Sequence, residues 1–253
     1  MPYQDNTYGL YEIHRMLLEM MVEVDRVCRE EDIPYSLLGG TMLGAARHKG
    51  FIPWDDDLDI VFTAEALERF LQVFSQKSEK YTTSLEDTWV ARVVPREPIN
   101  GQRPFVDLFH YEPISETGWK QKMKILMLQT LPGMLKEKTD LSRFGLKDKV
   151  LLGGTHVLGK LFSKKCKLRM YRWVSSHVAR GDGSLLHISD DQFGCLKVLY
   201  RAECTQEMID TPFETATLRM SALYDEMLTR QYGDYMTPPP VEKRVPMHAN
   251  WRE

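Results

Sequence analysis

The run Asp55-Asp56-Asp57-Leu58-Asp59 leads without a break into Ile60-Val61-Phe62, and nothing else in the chain restricts its fold as sharply. Residues 57–62 alternate and then turn wholly apolar, which predicts a central strand with one chemically active end. Side chains two apart on a strand share a face, so Asp57 and Asp59 point the same way. Two carboxylates so placed repel one another unless something neutralises them. A divalent cation does this: Mg2+ prefers oxygen ligands and commonly takes one or two carboxylates together with substrate phosphates. Asp55 and Asp56, just upstream, add a ligand or hold one in place. Three aspartates in a row, by themselves, read as a solvated turn; the apolar strand behind them turns the reading to a metal site.

The flanks extend the pattern. Upstream, Tyr35 to Leu38 reads as a short strand entering Gly39-Gly40-Thr41, with Thr41 as the cap of a short helix through Arg47. Glycines at such a turn let a phosphate approach the backbone and the N–H groups of the helix start. Downstream, Asp107 sits among Phe105, Val106, Leu108 and Phe109. A lone carboxylate in an apolar strand is costly unless paired. A metal, a role as general base, or a salt bridge to Arg92 or Arg103 would each account for it.

Around this centre the first hundred or so residues alternate helix and strand, the pattern of an α+β or α/β core. Leu10, Ile13, Leu17, Met20, Val24 and Val27 give one apolar helical face that stops near Glu31, before Ile33-Pro34. Phe51 to Trp54 is a loop, Ala64 to Gln76 a helix, and strands are predicted at 81–85, 89–94 and 105–111. From Trp119 onward strand formers thin out and helices are expected, the last from Leu218 to Arg230, stopped by Gly233. An extended tail begins at Thr237-Pro238-Pro239-Pro240. Leu37-Leu38-Gly39-Gly40-Thr41 recurs as Leu151-Leu152-Gly153-Gly154-Thr155, but no acidic cluster follows the second copy, which reads as a helix connection. The expected organisation is a catalytic core over 1–115 and a mostly helical basic extension with a C-terminal signature over 116–253.

Composition excludes some classes. No stretch of the chain reaches the apolar run of about 20 residues that a membrane span needs. The start MPYQDNTYGL has neither the basic nor the apolar region of a secretory signal, so a cytoplasmic location is expected. Cys28, Cys166, Cys195 and Cys204 form no C-x-x-C pair, which argues against structural zinc or a redox motif.

The block Gly40-Thr41-x-Leu43-Gly44-Ala45-x-Arg47-His48-Lys49-Gly50-Phe51-Ile52-Pro53-Trp54-Asp55-Asp56-Asp57-x-Asp59 closely resembles the signature of the LicD family, the phosphocholine transferases of bacterial surface polysaccharides related to fukutin and fukutin-related protein. Phe105-Val106-Asp107-Leu108-Phe109 resembles the family's next acidic strand. Tyr232-Gly233-Asp234-Tyr235-Met236, followed by Glu242-Lys243-Arg244, resembles its C-terminal signature. The resemblance implies a nucleotidyltransferase-like α+β core with a small mixed sheet and a helical extension. It further implies Mg2+ (or Mn2+) held by Asp57, Asp59 and Asp107, with Asp55 as a neighbouring carboxylate and Asp107 accepting the proton of the attacking hydroxyl. Arg47, His48 and Lys49 would neutralise phosphate, and Gly39, Gly40 and Thr41 with Lys243 and Arg244 would hold the donor. The implied reaction carries a phospho-alcohol, phosphocholine foremost, from a CDP-linked donor to a sugar hydroxyl of a cell-surface glycan such as teichoic acid, releasing CMP. A nucleotidyltransferase acting on a sugar, or a non-catalytic glycan- or membrane-binding protein on the same fold, are the alternatives. A choline group calls for an aromatic cage, for which Trp89, Trp119, Tyr171, Trp173, Tyr200 and Trp251 are available.

Charge is distributed unevenly. Residues 120–172 carry fourteen Lys and Arg against Glu137, Asp140 and Asp148, a net +11; with −3 overall, the remainder carries −14. Apolar residues are interleaved with those charges, so the segment reads either as a solvated basic face or as a peripheral contact with an anionic leaflet, the inner face of the plasma membrane, where a lipid-linked acceptor would lie. No nucleic-acid-binding motif accompanies the charge, and nucleic acid is not expected as a partner.

Overall fold

The computed structural model describes residues 7–85, 89–135, 162–190 and 195–246. The second Leu-Leu-Gly-Gly-Thr copy and Trp251 lie outside them. The chain forms two compact units, one within Met1–Glu86, Val90–Tyr111 and Ala202–Glu253, the other within Asp87–Trp89 and Glu112–Arg201. The residues from Ala202 onward thus group with the first unit.

In the first unit, α1 (Tyr11–Glu30) presents the predicted apolar face; Met16, Leu17, Met20, Met21, Val24 and Val27 are almost wholly buried. Each such side chain contributes about 1.5–3 kcal/mol of burial. The sheet runs β1 (Ser36–Leu37), β2 (Asp59–Thr63), β5 (Val106–Pro113), β4 (Ala91–Pro95), β3 (Tyr81–Ser84). It is mixed, because β2 and β5 are parallel while the other neighbours are antiparallel. Helix α2 (Gly39–His48) links β1 to the acidic loop, and α3 (Ala64–Lys77) follows β2, its first turn capped by Thr63 Oγ1. The architecture is α+β, as expected.

Two local predictions are corrected. Leu218 to Arg230 is not one helix: β9 (Ala216–Ser221) pairs with β8 (Met208–Phe213), and α6 (Tyr224–Tyr232) starts after the turn. Burial of Leu218 and Met220 on one face is the alternation of a strand, and the Ser221 N–H donates to Ser36 Oγ at 2.9 Å, tying the ribbon to β1. Thr41 is not a cap either. Leu38, extended and without a side-chain cap, precedes a helix that begins at Gly39.

The second unit holds α4 (Gly118–Leu135), α5 (Lys164–His177) and the antiparallel pair β6 (Leu185–Ile188) and β7 (Leu199–Arg201). Its core is Leu128, Leu131, Tyr171, Val174 and Leu196. Among the described residues no helix is long and apolar enough to cross a membrane.

Gly44 is where α2 touches the chain that follows it. A Cβ there would lie 2.5 Å from the Gly50 carbonyl oxygen, a backbone atom that cannot swing aside. Gly44→Ala is expected to cost about 1–3 kcal/mol in urea denaturation. Gly118→Ala, with nothing within 4 Å, should leave the midpoint unchanged.

Candidate active site

The site is assembled by three segments of the first unit that meet at the start of α2. Strand β2 begins at Asp59, two residues later than the sequence pattern predicts, although the Asp107 N–H still donates to the Leu58 carbonyl at 3.0 Å. Parallel register places Asp59 directly beside Asp107. Neighbouring strands lie about 4.8 Å apart, so these two carboxylates belong to one cluster. The Asp59 N–H donates to Thr41 Oγ1 at 2.9 Å and its carbonyl accepts from the Leu38 N–H at 3.0 Å, which fastens β2 to the first turn of α2.

Glycine is favoured at 39 by its left-handed backbone and at 40 by the carboxylate that occupies the space over it. Gly39 has φ +53°, and a Cβ there would sit 3.5 Å from Asp59 Oδ2 and 3.8 Å from the Tyr232 hydroxyl. At Gly40 the added atom would meet Asp55 Oδ2 at 2.5 Å. The sequence pattern predicts a phosphate approach at these glycines; in the folded chain, Asp55 and Asp59 lie against them. The positive end of the helix dipole stabilises negative charge there, whichever group carries it.

Other residues fix the carboxylates. Arg92, opposite Asp107 in the β4–β5 register, donates from Nε to Asp107 Oδ1 at 2.7 Å and lies 3.8 Å from the centre of the Phe105 ring. Of the two arginines considered for that bridge, Arg92 makes it. His14 on α1 hydrogen-bonds through Nε2 to the Asp55 carbonyl at 2.6 Å and stacks on Phe51 at 4.3 Å. Burial lowers the pKa of His14, against the raising influence of that carbonyl and of Asp56, which is itself fully buried. Asp57 is half-buried between Asp56 and Leu58.

A cationic group adjoins Trp54, the residue before Asp55. Arg244 lies over the Trp54 ring at 5.0 Å, and His48 meets the same ring edge-on at 6.1 Å. Arg47 donates to the Tyr235 carbonyl at 2.7 Å. Among the described residues neither Arg47 nor Arg244 forms an ion pair. Burial and the charge of Arg244 lower the pKa of Arg47, while the Tyr232 side chain raises it. Burial, Arg47 and Arg244 together push His48 down to about 4, so its imidazole is uncharged near neutrality and is not the cation the sequence reading expects. Lys49 is exposed at the left-handed end of α2, with Nζ 3.3 Å from the Ala46 carbonyl, and Lys243 is exposed in a short 3-10 turn.

The structure therefore brings Gly39, Gly40, Thr41, Asp55, Asp59 and Asp107 together. It groups Arg47, His48 and Arg244 beside them and leaves Lys49 and Lys243 on the surface. His14 and Tyr232 were not anticipated. The signal for His14 was a histidine on the buried face of α1; for Tyr232 it was its place at the head of the C-terminal signature, although only the fold carries α6 to the start of α2. Of the cage aromatics, Trp89 packs on Tyr171 at 5.7 Å and Tyr200 is buried, whereas Trp119 and Trp173 are exposed; all five belong to the second unit.

A mixed sheet with an acidic pair on adjacent parallel strands and a glycine turn at the start of the preceding helix is consistent with a nucleotidyltransferase-type core. Residues 32–129 match the family model LicD/FKTN/FKRP, nucleotidyltransferase domain. Over 94% of its length the chain is 30% identical to the lipopolysaccharide cholinephosphotransferase LicD of Haemophilus influenzae, covering 96% of that protein. Shorter similarity, 40% over 73 residues, links 28% of the chain to 27% of an uncharacterized protein of Rickettsia prowazekii. The chain belongs to the LicD family.

The depressed pKa of His48 has a consequence for stability. An unfolded histidine takes up its proton near pH 6.5. The folded one resists to about 4, so between those values the unfolded state binds more protons. Its contribution is present above the unfolded value and is lost as pH falls through that window. The stability difference between the wild type and His48→Gln is expected to shift against the wild type between about pH 7 and about pH 4.5, as urea midpoints would record.

Proposed function

We propose that this chain is a divalent-metal-dependent transferase. It moves phosphocholine from a CDP-linked donor to a sugar hydroxyl of a cell-surface glycan and releases CMP. The observation that carries this reading is the parallel juxtaposition of Asp59 and Asp107 at the Gly39-Gly40 turn, with the unpaired Arg47–Arg244 group beside it. Its chemical identity rests on the nearly full-length likeness to a protein named as a lipopolysaccharide cholinephosphotransferase.

The donor set is all hard oxygen, which suits Mg2+ or Mn2+. Among the described residues no three His, Cys, Asp or Glu side chains are grouped as a ready-made cage. Mg2+ in phosphoryl-transfer sites commonly takes one or two carboxylates, completed by water and substrate phosphates. Asp59 and Asp107 are the proposed ligands, and Asp57, in the loop two residues before β2, is the third carboxylate on offer. The ion would supply charge neutralisation at the diphosphate.

The remaining steps belong to the chain. Arg47 and Arg244 attract the anionic donor, whose charge relieves their mutual repulsion. Arg92 keeps Asp107 oriented, and His14 keeps the Asp55 loop in place from behind. The acceptor oxygen attacks the phosphorus that bears choline, the bond from that phosphorus to the bridging oxygen breaks, and CMP departs with that oxygen. The hydroxyl proton passes to a carboxylate of the cluster, Asp55 or Asp107. Positioning and charge account for the rate in such loose transition states.

Incubation with CDP-choline, acceptor glycan and Mg2+ should release CMP; pyrophosphate release from CTP would instead identify nucleotidyl transfer. Asp59→Asn is expected to lower turnover by about 100-fold or more with an unchanged melting temperature. Retained turnover in that variant would remove the carboxylate pair from the mechanism. Arg47→Met is expected to raise KM for the donor more than it lowers kcat, since it acts on the bound anion in ground and transition states alike.

A further inference from the structure

Helix α4 has two apolar faces. At 100° per residue, Leu128 and Leu131 lie on one side and are buried in the core of the second unit. Trp119, Met123 and Leu126 lie on the opposite side, spaced four and three apart, and are 65%, 40% and 50% exposed. Of its three lysines Lys120 and Lys122 are exposed, while Lys124 is turned inward and fully buried, with Nζ 3.3 Å from the Pro113 carbonyl. The exposed Lys120 and Lys122 flank the outward stripe, so this face is apolar with a cationic border, the pattern of a helix that meets an interface on its outer side.

Helix α5 repeats the arrangement on its own outward face. Tyr171, Val174 and Ser175 face the core, while Met170 and Trp173 are exposed beside a row of exposed Lys165, Arg169 and Arg172. Between them α4 and α5 carry eight Lys and Arg and no Asp or Glu. We propose that these outward faces form a docking surface for an anionic bilayer leaflet, with Trp119 and Trp173 at headgroup depth and the basic row against lipid phosphates.

Charge selects this occupant. A second copy of the chain would bring two strongly basic faces together, and a neutral apolar partner would leave the cations without counter-ions. An anionic leaflet satisfies both, with apolar insertion plus attraction of roughly 1 kcal/mol per basic residue near the surface. Long Lys and Arg stems also let their charges reach the interface while the aromatic rings bury.

The inference concerns the second unit alone and does not depend on the proposed reaction, so its test uses no substrate. The full chain is floated with vesicles of phosphatidylcholine alone and of phosphatidylcholine with phosphatidylglycerol, at low and high salt. Flotation with the anionic vesicles, weakened by salt, is the expected result. The triple charge reversal K165E/R169E/R172E, confined to exposed positions, is expected to weaken partition by about fivefold or more per residue changed. A second variant, W119S/W173S, should lose binding at high salt while retaining part of it at low salt. Both variants should keep the wild-type melting temperature and circular dichroism. Absence of flotation with either vesicle would overturn the proposal, as would binding indifferent to lipid charge. So would a concentration-dependent dimer, abolished in W119S/W173S, from a chain that fails to float.

Discussion

The first unit depends on one electrostatic problem: Asp59 and Asp107 side by side on parallel strands, with Asp55 brought to the same helix start. Parallel pairing leaves no freedom to stagger them, because a one-residue slip would turn Ile60 and Leu108 out of the core. The surrounding structure compensates. The first turn of α2 offers the positive end of its dipole, glycine at 39 and 40 lets carboxylates lie against the backbone, Thr41 receives the Asp59 N–H, and Arg92 holds one oxygen of Asp107. Each is modest, and together they allow a strand that begins in charge to continue into a buried sheet.

Compensation stops short of neutrality, which gives the site its chemical character. Arg47 and Arg244 are spent on backbone carbonyls and on the Trp54 ring, not on the aspartates nearby. Their mutual repulsion, felt also by His48, persists in the folded chain. Tyr232 connects the two regions: its hydroxyl lies over Gly39, and its electrostatic influence reaches Arg47. Carboxylates and cations in one region suit the donor proposed above, a diphosphate that would be bridged by a cation.

Much of this was legible in the chain. Periodicity located α1, α3 and the strand order of charge and apolar residues around Asp59 and Asp107, since those patterns follow from burial within one segment. Thr41 was misread because Ser and Thr before a helix are strong cap signals, whereas its oxygen serves a strand eighteen residues away. Leu218 to Arg230 was misread because Leu218, Met220, Met227 and Leu228 fit a helical face as well as a strand followed by a helix. Which reading holds is decided by the Ser36 hydroxyl on β1, a contact across 185 residues. Tyr232 and His14 join the site through the same kind of long-range pairing, of which a local pattern contains no record, whereas Arg92 was one of two partners that the lone carboxylate of Asp107 called for.

The second unit shows the opposite limit, where composition was informative but its geometry was not. A net charge of +11 over 120–172 predicts lysines outside and leucines inside. Instead α4 buries Lys124 with Glu112 at hand, and desolvation pushes that lysine down to about 8. Burying an amine costs free energy that a rotation of the helix by half a turn would recover, with Trp119, Met123 and Leu126 going inside. The orientation observed is therefore stable only if Leu128 and Leu131 pack better than that alternative set, as their closure with Tyr171, Val174 and Leu196 indicates. Good packing on one side fixes the helix, and the second apolar stripe is then obliged to face outward. An outward stripe flanked by cations is a cost in water and a gain at an anionic interface, so the same rotation that makes the core coherent also creates the surface.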